Sequence, residues 1–320
     1  MKFPIVKKLI LSVLLPMVVA ALAMSCTANR TAPNHGSTGP GVGNVSELRE
    51  AIADYCRGKD ARIGMAAIIG TDTVAYNGNR DFPMLSVFKF PVALAYAEKL
   101  DRSGLSLADS ISFGVNAMRQ DTYSPMLQKY GFRPLSLTYK ELMGWSLMES
   151  DNNACDIMIG FIGGIDSLSS SYSRIAVPQG ITIGATEADM HADVYRCYLN
   201  RSTPVAMAAL FQRFNQSLRH RSNSFSTIAV MLEGCLTGPN RIVRYLDGQG
   251  VVAGHKTGTG GLNTQGRIMA VNDAGYVLLP DGRSYSIAIF VADSAYDMAA
   301  SEEIIAHISR LVYSYAKKKR

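Results

Sequence analysis

The sequence predicts a mixed α/β (α+β) protein in which an antiparallel sheet of about five strands, flanked by terminal helices, carries an inserted all-helical domain. Short apolar runs typical of strands lie near both ends of the chain. Turns rich in Asn, Asp and Gly separate them, which favours hairpins and therefore antiparallel pairing. Between the two groups of strands, from about residue 84 to 236, the apolar residues recur at helical spacing.

The N-terminal residues are predicted to be an export signal followed by a linker. Three lysines precede an apolar run that ends in small residues, the pattern of a signal peptide over residues 1–25. Cleavage after Ala23 or before Cys26 both remain open, and cleavage before Cys26 would leave a lipidated cysteine that anchors the protein. An uncleaved N-terminal anchor is a further alternative. Residues 26–43 predict a flexible tether, so we expect an exported, periplasmic protein.

The overall charge does not indicate a nucleic-acid partner. The net charge is +6, but residues 1–25 supply three lysines and no acidic residue, which leaves +3 after their removal. The C-terminal residues 317–320 supply four further positive charges, so the remaining chain is close to neutral. A content of 48% hydrophobic and 18% charged residues excludes a disordered protein and fits a folded body with a large core.

The cysteines predict no metal site. Their spacings are too wide for a zinc cluster, and neither a metal nor a cofactor is expected. If Cys26 is lipidated, four remain, and both free thiols and one or two disulfides are possible in an exported protein. The five are Cys26, Cys56, Cys155, Cys197 and Cys235.

The elements follow from periodicity and turn residues. A helix over 45–56, with Ser46 as its N-cap, opens the chain. Two strands, 62–69 and 73–76, and a final helix over 301–315 belong to the sheet domain, which is expected to comprise 44–83 and 237–320. The remaining elements are helices over 90–100, 140–148, 153–162 and 204–214, and strands over 250–253, 267–272, 275–279 and 284–291. A turn is predicted at 272–275. The helical domain, 84–236, and the sheet domain would enclose a cleft.

The run Ser86-Val87-Phe88-Lys89 places a serine and a lysine one turn apart at a predicted helix start. Lys89 can accept the hydroxyl proton, and the helix dipole favours developing negative charge, so Ser86 is a candidate nucleophile. The same S-x-x-K spacing recurs at Ser314, at a solvated helix end, so the spacing alone identifies nothing.

Two further motifs occur where the cleft is expected. Ser150-Asp151-Asn152 lies in a polar break between predicted helices, with a helix cap as the alternative explanation. Lys256-Thr257-Gly258-Thr259 follows an apolar strand. Its lysine and first threonine can hold a carboxylate, and its glycine lets a substrate approach the backbone; an ordinary strand and glycine-rich turn is the alternative.

Together and in this order, the three motifs are those of class A β-lactamases and penicillin-binding proteins. The chain resembles a class A serine β-lactamase from about Val45 to Tyr315, most like the cephalosporin-hydrolysing, extended-spectrum branch of Bacteroides-type bacteria. The stretches 122–126 and 186–193 match as well. The resemblance implies the serine β-lactamase/transpeptidase-like fold and a monomer that hydrolyses cephalosporins and penicillins through an acyl-enzyme, giving antibiotic resistance. A D,D-peptidase and a non-hydrolysing β-lactam-binding lipoprotein remain alternatives.

The resemblance also implies roles. A hydrolase must discharge its acyl-enzyme with a water activated by a carboxylate, and by resemblance that base is Glu187. Ser150 would relay a proton to the leaving nitrogen, and whether Lys89 or Glu187 is the acylation base stays open. The backbone N–H groups of Ser86 and Thr259 would form the oxyanion hole. The substrate-binding residues implied are Asn152, Lys256, Thr257, Gly258, Thr259, Tyr123, His191 and Arg241.

Three positions depart from the family pattern. His191 stands where an Asn commonly helps to hold the water, and a packed or exposed loop histidine is the alternative. Asn200 replaces an Asp that usually braces this loop in a salt bridge, which leaves the conformation of the loop open. Gln265 occupies the place of a carboxylate-binding Arg, and Arg241 lies where some members carry a substitute; a surface arginine is the alternative.

Overall fold

The computed structural model describes residues 43–319. The predicted signal peptide, Cys26 and all but the last residue of the predicted tether lie outside them. Within the described residues, no helix is both long and apolar enough to cross a membrane.

Residues 43–319 form ten α-helices and ten strands. The helices are α1 (Val45–Cys56), α2 (Lys89–Arg102), α3 (Pro125–Tyr130), α4 (Tyr139–Leu147), α5 (Asn152–Ile162), α6 (Gly164–Ile175), α7 (Glu187–Ala192), α8 (Pro204–Gln216), α9 (Asn223–Glu233) and α10 (Met298–Lys318). The strands are β1 (Arg62–Ile69), β2 (Asp72–Tyr76), β3 (Phe82–Pro83), β4 (Ser110–Phe113), β5 (Leu135–Thr138), β6 (Ile181–Thr182), β7 (Arg201–Ser202), β8 (Val252–Thr259), β9 (Ile268–Leu278) and β10 (Ser284–Ser294).

The main sheet has the strand order β2-β1-β10-β9-β8, and every neighbouring pair is antiparallel. The prediction of a sheet of about five antiparallel strands built from both ends of the chain is therefore confirmed. The register pairs Met65 of β1 with Ile289 of β10, which joins the N-terminal hairpin to the C-terminal one.

The two faces of this sheet bury two hydrophobic clusters, because alternate side chains of a strand point to opposite faces. On β10, Ile287 and Ile289 pack in the cluster that includes residues of α1 and α10. Ala288 and Phe290 pack in the other cluster, with residues of α2, α5, α8 and α9. The central strands are thus apolar on both faces, which explains their nearly continuous hydrophobic runs.

The turn predicted at 272–275 is wrong, because β9 runs through it without a break. The polar residues that suggested a turn have partners inside the protein. Asn272 Nδ2 donates to the carbonyl of Pro83 at 2.7 Å, and Asp273 Oδ1 lies 2.9 Å from Nδ1 of His255. Their polarity reflects buried hydrogen bonds rather than exposure to solvent.

Other predicted boundaries shift in informative ways. The strand predicted at 250–253 extends as β8 through Thr259, so the lysine motif lies within the strand rather than after it. The predicted N-cap Ser46 is wrong: Asn44 caps α1 by accepting the N–H of Glu47 at 3.0 Å. The segment 84–236, predicted to be all-helical, also contains β4 to β7. β6 and β7 have two residues each, too few to show a period of two, whereas the four-residue strands β4 and β5 alternate and were overlooked. The predicted boundaries of the two domains stay a prediction.

Candidate active site

Ser86 lies in a 3-10 turn, Leu85–Phe88, that leads into α2. Leu85 has φ of +46°, a backbone strain of the kind that concentrates at functional sites. The turn packs closely on β8, where a Cβ on Gly258 would collide with the carbonyl oxygen of Met84 and lie 3.1 Å from the backbone nitrogen of Ser86. Glycine at this position therefore allows the nucleophile segment and the strand to lie side by side.

Lys89 is fully buried, and its ammonium group contacts four polar groups of the site. Its Nζ lies 3.0 Å from Ser86 Oγ, 2.8 Å from Ser150 O and 2.7 Å from Asn152 Oδ1. It also forms an ion pair of 2.8 Å with Glu187 Oε1. A buried ammonium needs such partners to offset the loss of water, and here they connect the nucleophile to the predicted base.

The Ser150-Asp151-Asn152 run contains both a helix cap and a serine that faces the cleft. Asp151 is the N-cap of α5 and accepts the N–H of Ala154 at 2.8 Å. Ser150, with φ of +60°, instead turns its hydroxyl toward β8 and accepts a hydrogen bond of 2.9 Å from Lys256 Nζ. The cap and the cleft-facing serine are therefore neighbouring residues with separate tasks.

Burial lowers the pKa of Lys256 to about 8, and the neighbouring charge of Lys89 acts in the same direction. The ammonium is therefore easier to deprotonate than that of an exposed lysine. Beside it, Thr257 and Thr259 line the cleft, whereas Lys256 lies fully buried behind them.

Glu187 is the first residue of α7, capped by Thr186, and lies 9% exposed on the cleft wall. The backbone N–H groups of Glu187 and Ala188 each donate to the carboxylate of Asp156 at 2.8 Å. Burial raises the pKa of Asp156 to about 6. The acid inside the apolar helix α5 thus anchors the segment that carries Glu187, a positioning role that its sequence context did not reveal.

Asn200 holds the segment just before α7 through its side-chain amide, where the family usually has an ionised aspartate. Its Oδ1 accepts the N–H groups of Gly184 and Ala185, and its Nδ2 donates to the carbonyl of Ala185, each at 2.9 Å. The side chain is fully buried. The loop conformation left open by the missing Asp is therefore set by three neutral hydrogen bonds.

An Asn200→Ala variant is expected to lose about 2–4 kcal/mol of unfolding free energy, because backbone groups of the loop are left buried without partners. Denaturant unfolding of the variant measures this loss. Asn200→Asp keeps an acceptor for both N–H groups and should lose less, and Asn223→Ala, at an exposed position, is the surface control. An Asn200→Ala protein as stable as wild type would contradict the bracing role.

His191 lies at the mouth of the cleft with Tyr123, which is 54% exposed. Its Nε2 lies 2.9 Å from Asp121 Oδ2. A hydrogen bond from Arg119 lowers the pKa of Asp121, which favours its ionised form beside the imidazole. His191 is therefore exposed rather than packed in the core, and it lies on α7, where its contact with Asp121 links this helix to the segment that carries Tyr123.

Arg241 is buried, so its alternative assignment as a surface arginine is wrong. Its Nε pairs with Glu302 at 3.0 Å, and Nη1 donates to the carbonyls of Gly258 and Asn272. Nη2 donates to Thr259 Oγ1 at 2.7 Å. Four of the five N–H groups of the guanidinium are thus engaged within the protein, and its contact with the cleft passes through Thr259.

The predicted residues meet around one cleft of about 480 Å³. Lys89, Lys256 and Gly258 lie buried directly behind its wall. Sequence reasoning missed Thr237, whose Oγ1 lies 2.5 Å from Thr257 Oγ1 and which lines the same cleft. The predicted residues that line it are Ser86, Tyr123, Ser150, Asn152, Glu187, His191, Thr257 and Thr259. Within residues 43–319, no group of three or more His, Cys, Asp or Glu side chains is arranged to hold a metal.

Comparison with known proteins agrees with this geometry. The sequence model of the β-lactamase enzyme family matches residues 45–316. A β-lactamase of Bacteroides uniformis is 39% identical over 272 residues, which cover 84% of this chain and 91% of the relative. A class A β-lactamase structure from Bacteroides cellulosilyticus superposes with a TM-score of 0.81 at 32% identity, covering 85% of this chain and 98% of that one. The TLA-3 extended-spectrum β-lactamase gives 0.82 at 32% identity, covering 86% and 100%. With its three motifs gathered around one cleft, the chain belongs to the β-lactamase enzyme family and is a class A member.

Proposed function

We propose that this protein hydrolyses the β-lactam amide of cephalosporins and penicillins through an acyl-enzyme on Ser86, and so confers resistance to these antibiotics. The observation that carries the proposal is a continuous chain of contacts, from Ser86 Oγ to Lys89 Nζ at 3.0 Å and on to Glu187 Oε1 at 2.8 Å. This chain of contacts supports the proposal, because a hydrolase needs a nucleophile and a carboxylate base on the same cleft, and Ser86 and Glu187 both line it.

Acylation begins when the substrate's carboxylate binds at Thr257 on β8, attracted by the positive charge of Lys256 buried behind it. Ser86 Oγ attacks the lactam carbonyl, and its proton passes to Lys89 or, through a water, to Glu187. The negative charge on the carbonyl oxygen is stabilised by the backbone N–H groups of Ser86 and Thr259. Ser150, held 2.9 Å from Lys256 Nζ, delivers a proton to the leaving nitrogen.

Other side chains of the cleft orient the substrate. Asn152 is fixed by Lys89 and by Thr122 Oγ1, to which its Nδ2 donates at 2.9 Å, and it hydrogen bonds the acylamide group. Tyr123 forms one wall. Arg241 supports the carboxylate site through Thr259 and through its positive charge behind β8.

Deacylation uses Glu187 as the base that activates a water, with His191 helping to position it. The position of the Glu187 carboxylate is set by its backbone, because Asp156 accepts the N–H of Glu187 and Asn200 accepts the N–H of Ala185. This second half-reaction distinguishes a β-lactamase from a D,D-peptidase or a β-lactam-binding lipoprotein, which would keep the acyl group or never form it.

The distinguishing experiment is incubation of the purified protein with a chromogenic cephalosporin, followed by turnover measurement and intact mass. We expect many turnovers per molecule, with a transient adduct on Ser86. A stable adduct without turnover would favour the peptidase, and the absence of both adduct and turnover would overturn the proposal.

The kcat/KM for a carboxylate-bearing cephalosporin is expected to fall as the pH rises through about 8. Lys256 is charged below its pKa, and burial lowers that pKa to about 8, so the positive charge that attracts the carboxylate is lost above it. Because kcat/KM reports ionisations of the free enzyme, a pH profile measures this directly. In Lys256→Arg the descending limb should vanish, since a guanidinium stays charged. A wild-type profile that stays level to pH 9.5, with the protein folded, would contradict the assignment.

For location, we propose that residues 1–25 direct export to the periplasm and that Cys26 is a lipid anchor for a monomeric enzyme. The support is the basic, apolar and small-residue order of the N-terminus. Cys26→Ser should move the protein from the membrane to the soluble fraction. Equal membrane retention of both forms would refute anchoring through Cys26.

A further inference from the structure

The two walls of the cleft are joined at one end by a pair of residues that takes no part in the mechanism above. One wall includes α7 and the 3-10 turn Val194–Leu199 that follows it; the other includes the end of β8 and the turn 260–267, which connects β8 to β9. Tyr195 Oη donates to Thr264 Oγ1 at 3.1 Å, and the backbone N–H of Thr264 donates to Tyr195 Oη at 3.2 Å. One hydroxyl therefore bridges two residues that lie 69 positions apart.

The Tyr195–Thr264 bridge is the polar contact between the two walls at this end of the cleft. Within residues 43–319, no other hydrogen bond and no ion pair joins 187–199 to 259–269. Tyr195 is 42% exposed and Thr264 is exposed as well, so the bridge can open without uncovering the core. Removal of the tyrosine hydroxyl therefore removes every polar link between these walls and leaves the fold in place.

Both partners of the bridge are held in position by their own segments. The backbone N–H of Tyr195 donates to Asp193 Oδ1 at 3.0 Å. Thr264 lies in a tight turn in which the N–H of Asn263 donates to the carbonyl of Arg267 at 2.8 Å, and Asn263 Oδ1 accepts the N–H of Arg267 at 3.0 Å. Because each side is locally ordered, the bridge sets the distance between the two segments rather than ordering a flexible one.

The bridge lies where the acyl group of a substrate is expected. In the proposed reaction, the substrate's carboxylate binds at Thr257, and its acylamide binds at Asn152. The acyl group beyond that amide then extends between Val194 on one wall and the glycines 260 and 261 on the other, all of which line the cleft. Val194 directly precedes the bridging tyrosine, so the state of the bridge determines how far this side chain stands from the opposite wall.

We propose that Tyr195 is a specificity-determining residue: bound to Thr264, it narrows the cleft at the acyl group and disfavours β-lactams with bulky, branched acyl groups relative to those with small ones. This role rests on the proposed function. A bulky substrate binds only the molecules in which the bridge is open, so its apparent affinity falls with their share of the population. A small substrate binds both states and is unaffected by the bridge.

The variant Tyr195→Phe tests this role, because it keeps the ring and removes both hydrogen bonds. Two cephalosporins with the same nucleus are compared, one with a bulky, branched acyl group and one with an acetyl group. We expect kcat/KM for the bulky substrate to rise by about 3- to 10-fold, the equivalent of one or two weak hydrogen bonds lost. The value for the acetyl substrate should stay within about twofold of wild type, because its binding does not require an open bridge.

Two further variants serve as controls. In Tyr296→Phe another hydroxyl that accepts a backbone N–H is lost, that of Asp60 at 3.0 Å, but this tyrosine does not line the cleft. Its kcat/KM values should equal those of wild type. Addition of Thr264→Val to Tyr195→Phe should give no further rise for the bulky substrate, because the bridge is already absent. Effects that simply add would show that the two residues act separately and would overturn the proposal.

The bridge itself can be measured without any β-lactam. Since the N–H of Thr264 donates to Tyr195 Oη, its hydrogen–deuterium exchange should be about 3- to 10-fold faster in Tyr195→Phe than in wild type. An unchanged exchange rate, or an unchanged ratio of the two kcat/KM values, would overturn the proposal. A wild type that turns over neither substrate would instead refute the proposed function, and the specificity role with it, while the exchange rate would still show whether the bridge forms.

Discussion

Replacing Ser86 with alanine is expected to lower the turnover of a chromogenic cephalosporin by about a million-fold, as loss of a catalytic serine nucleophile does elsewhere. No hydroxyl of residues 43–319 is expected to replace it, because among these residues Ser86 Oγ alone combines contact with Lys89 at 3.0 Å and a position on the cleft beside β8. Stopped-flow absorbance and intact mass measure the result, and neither turnover nor an acyl adduct should be seen.

The chain supplies its own control for this experiment. A second S-x-x-K run lies on α10, where Ser314 and Lys317 have the same spacing as Ser86 and Lys89. Ser314→Ala should keep full activity, because helical spacing without a cleft provides no substrate site. Residual wild-type turnover in Ser86→Ala, or loss of activity in Ser314→Ala at equal stability, would show that the nucleophile has been misassigned.

Replacing Glu187 with glutamine is expected to leave acylation of Ser86 possible and to slow deacylation by about 10²- to 10⁴-fold, the usual contribution of a general base. The amide keeps the shape of the side chain but cannot accept the water's proton. The measurement is a burst of about one chromophore per enzyme, followed by a stall during which the acyl-enzyme is visible by mass.

The burst rate of this variant also bears on the first half-reaction. A burst as fast as that of wild type assigns the acylation base to Lys89, and a slowed burst assigns it to Glu187. Asp166→Asn is the matched control, because this acid lies exposed in the first turn of α6 and should not affect turnover. Steady wild-type turnover by Glu187→Gln would show that another group activates the water.

The strands and helices with strong periodicity were predictable from the sequence, and so was the convergence of the three motifs on one cleft. Ser86 stands in the turn before α2 and Ser150 in a polar break before α5, where a local pattern marks them. Lys256 lies inside β8, and its motif residues marked it rather than its place in the element. The antiparallel pairing also followed from turns between strands that are neighbours in the chain. The pairing of β1 with β10, which sets the strand order, was not predicted.

What remained hidden is the use of polar residues inside apolar elements. Asn272 resembles a turn residue, yet it anchors the backbone before Ser86; Asp156 interrupts an apolar helix, yet it holds α7. Their partners are carbonyl and N–H groups, which belong to every residue and leave no trace in the sequence. The burial of Arg241 was hidden for a related reason, since Glu302 lies 61 positions away and only the fold makes them neighbours.

The strand order of the main sheet has a consequence for how this chain acquires activity. The first hairpin, β1-β2, pairs with β10 through β1. During synthesis this edge of β1 therefore stays unpaired until residues 284–294 have been made. Such distant pairings are closed late and slowly, because a long loop must be ordered before any contact stabilises it. We therefore expect Ser86 and Lys256 to come together only after that closure. A fragment that stops short of β10 should therefore be inert and prone to associate through its exposed strand edge.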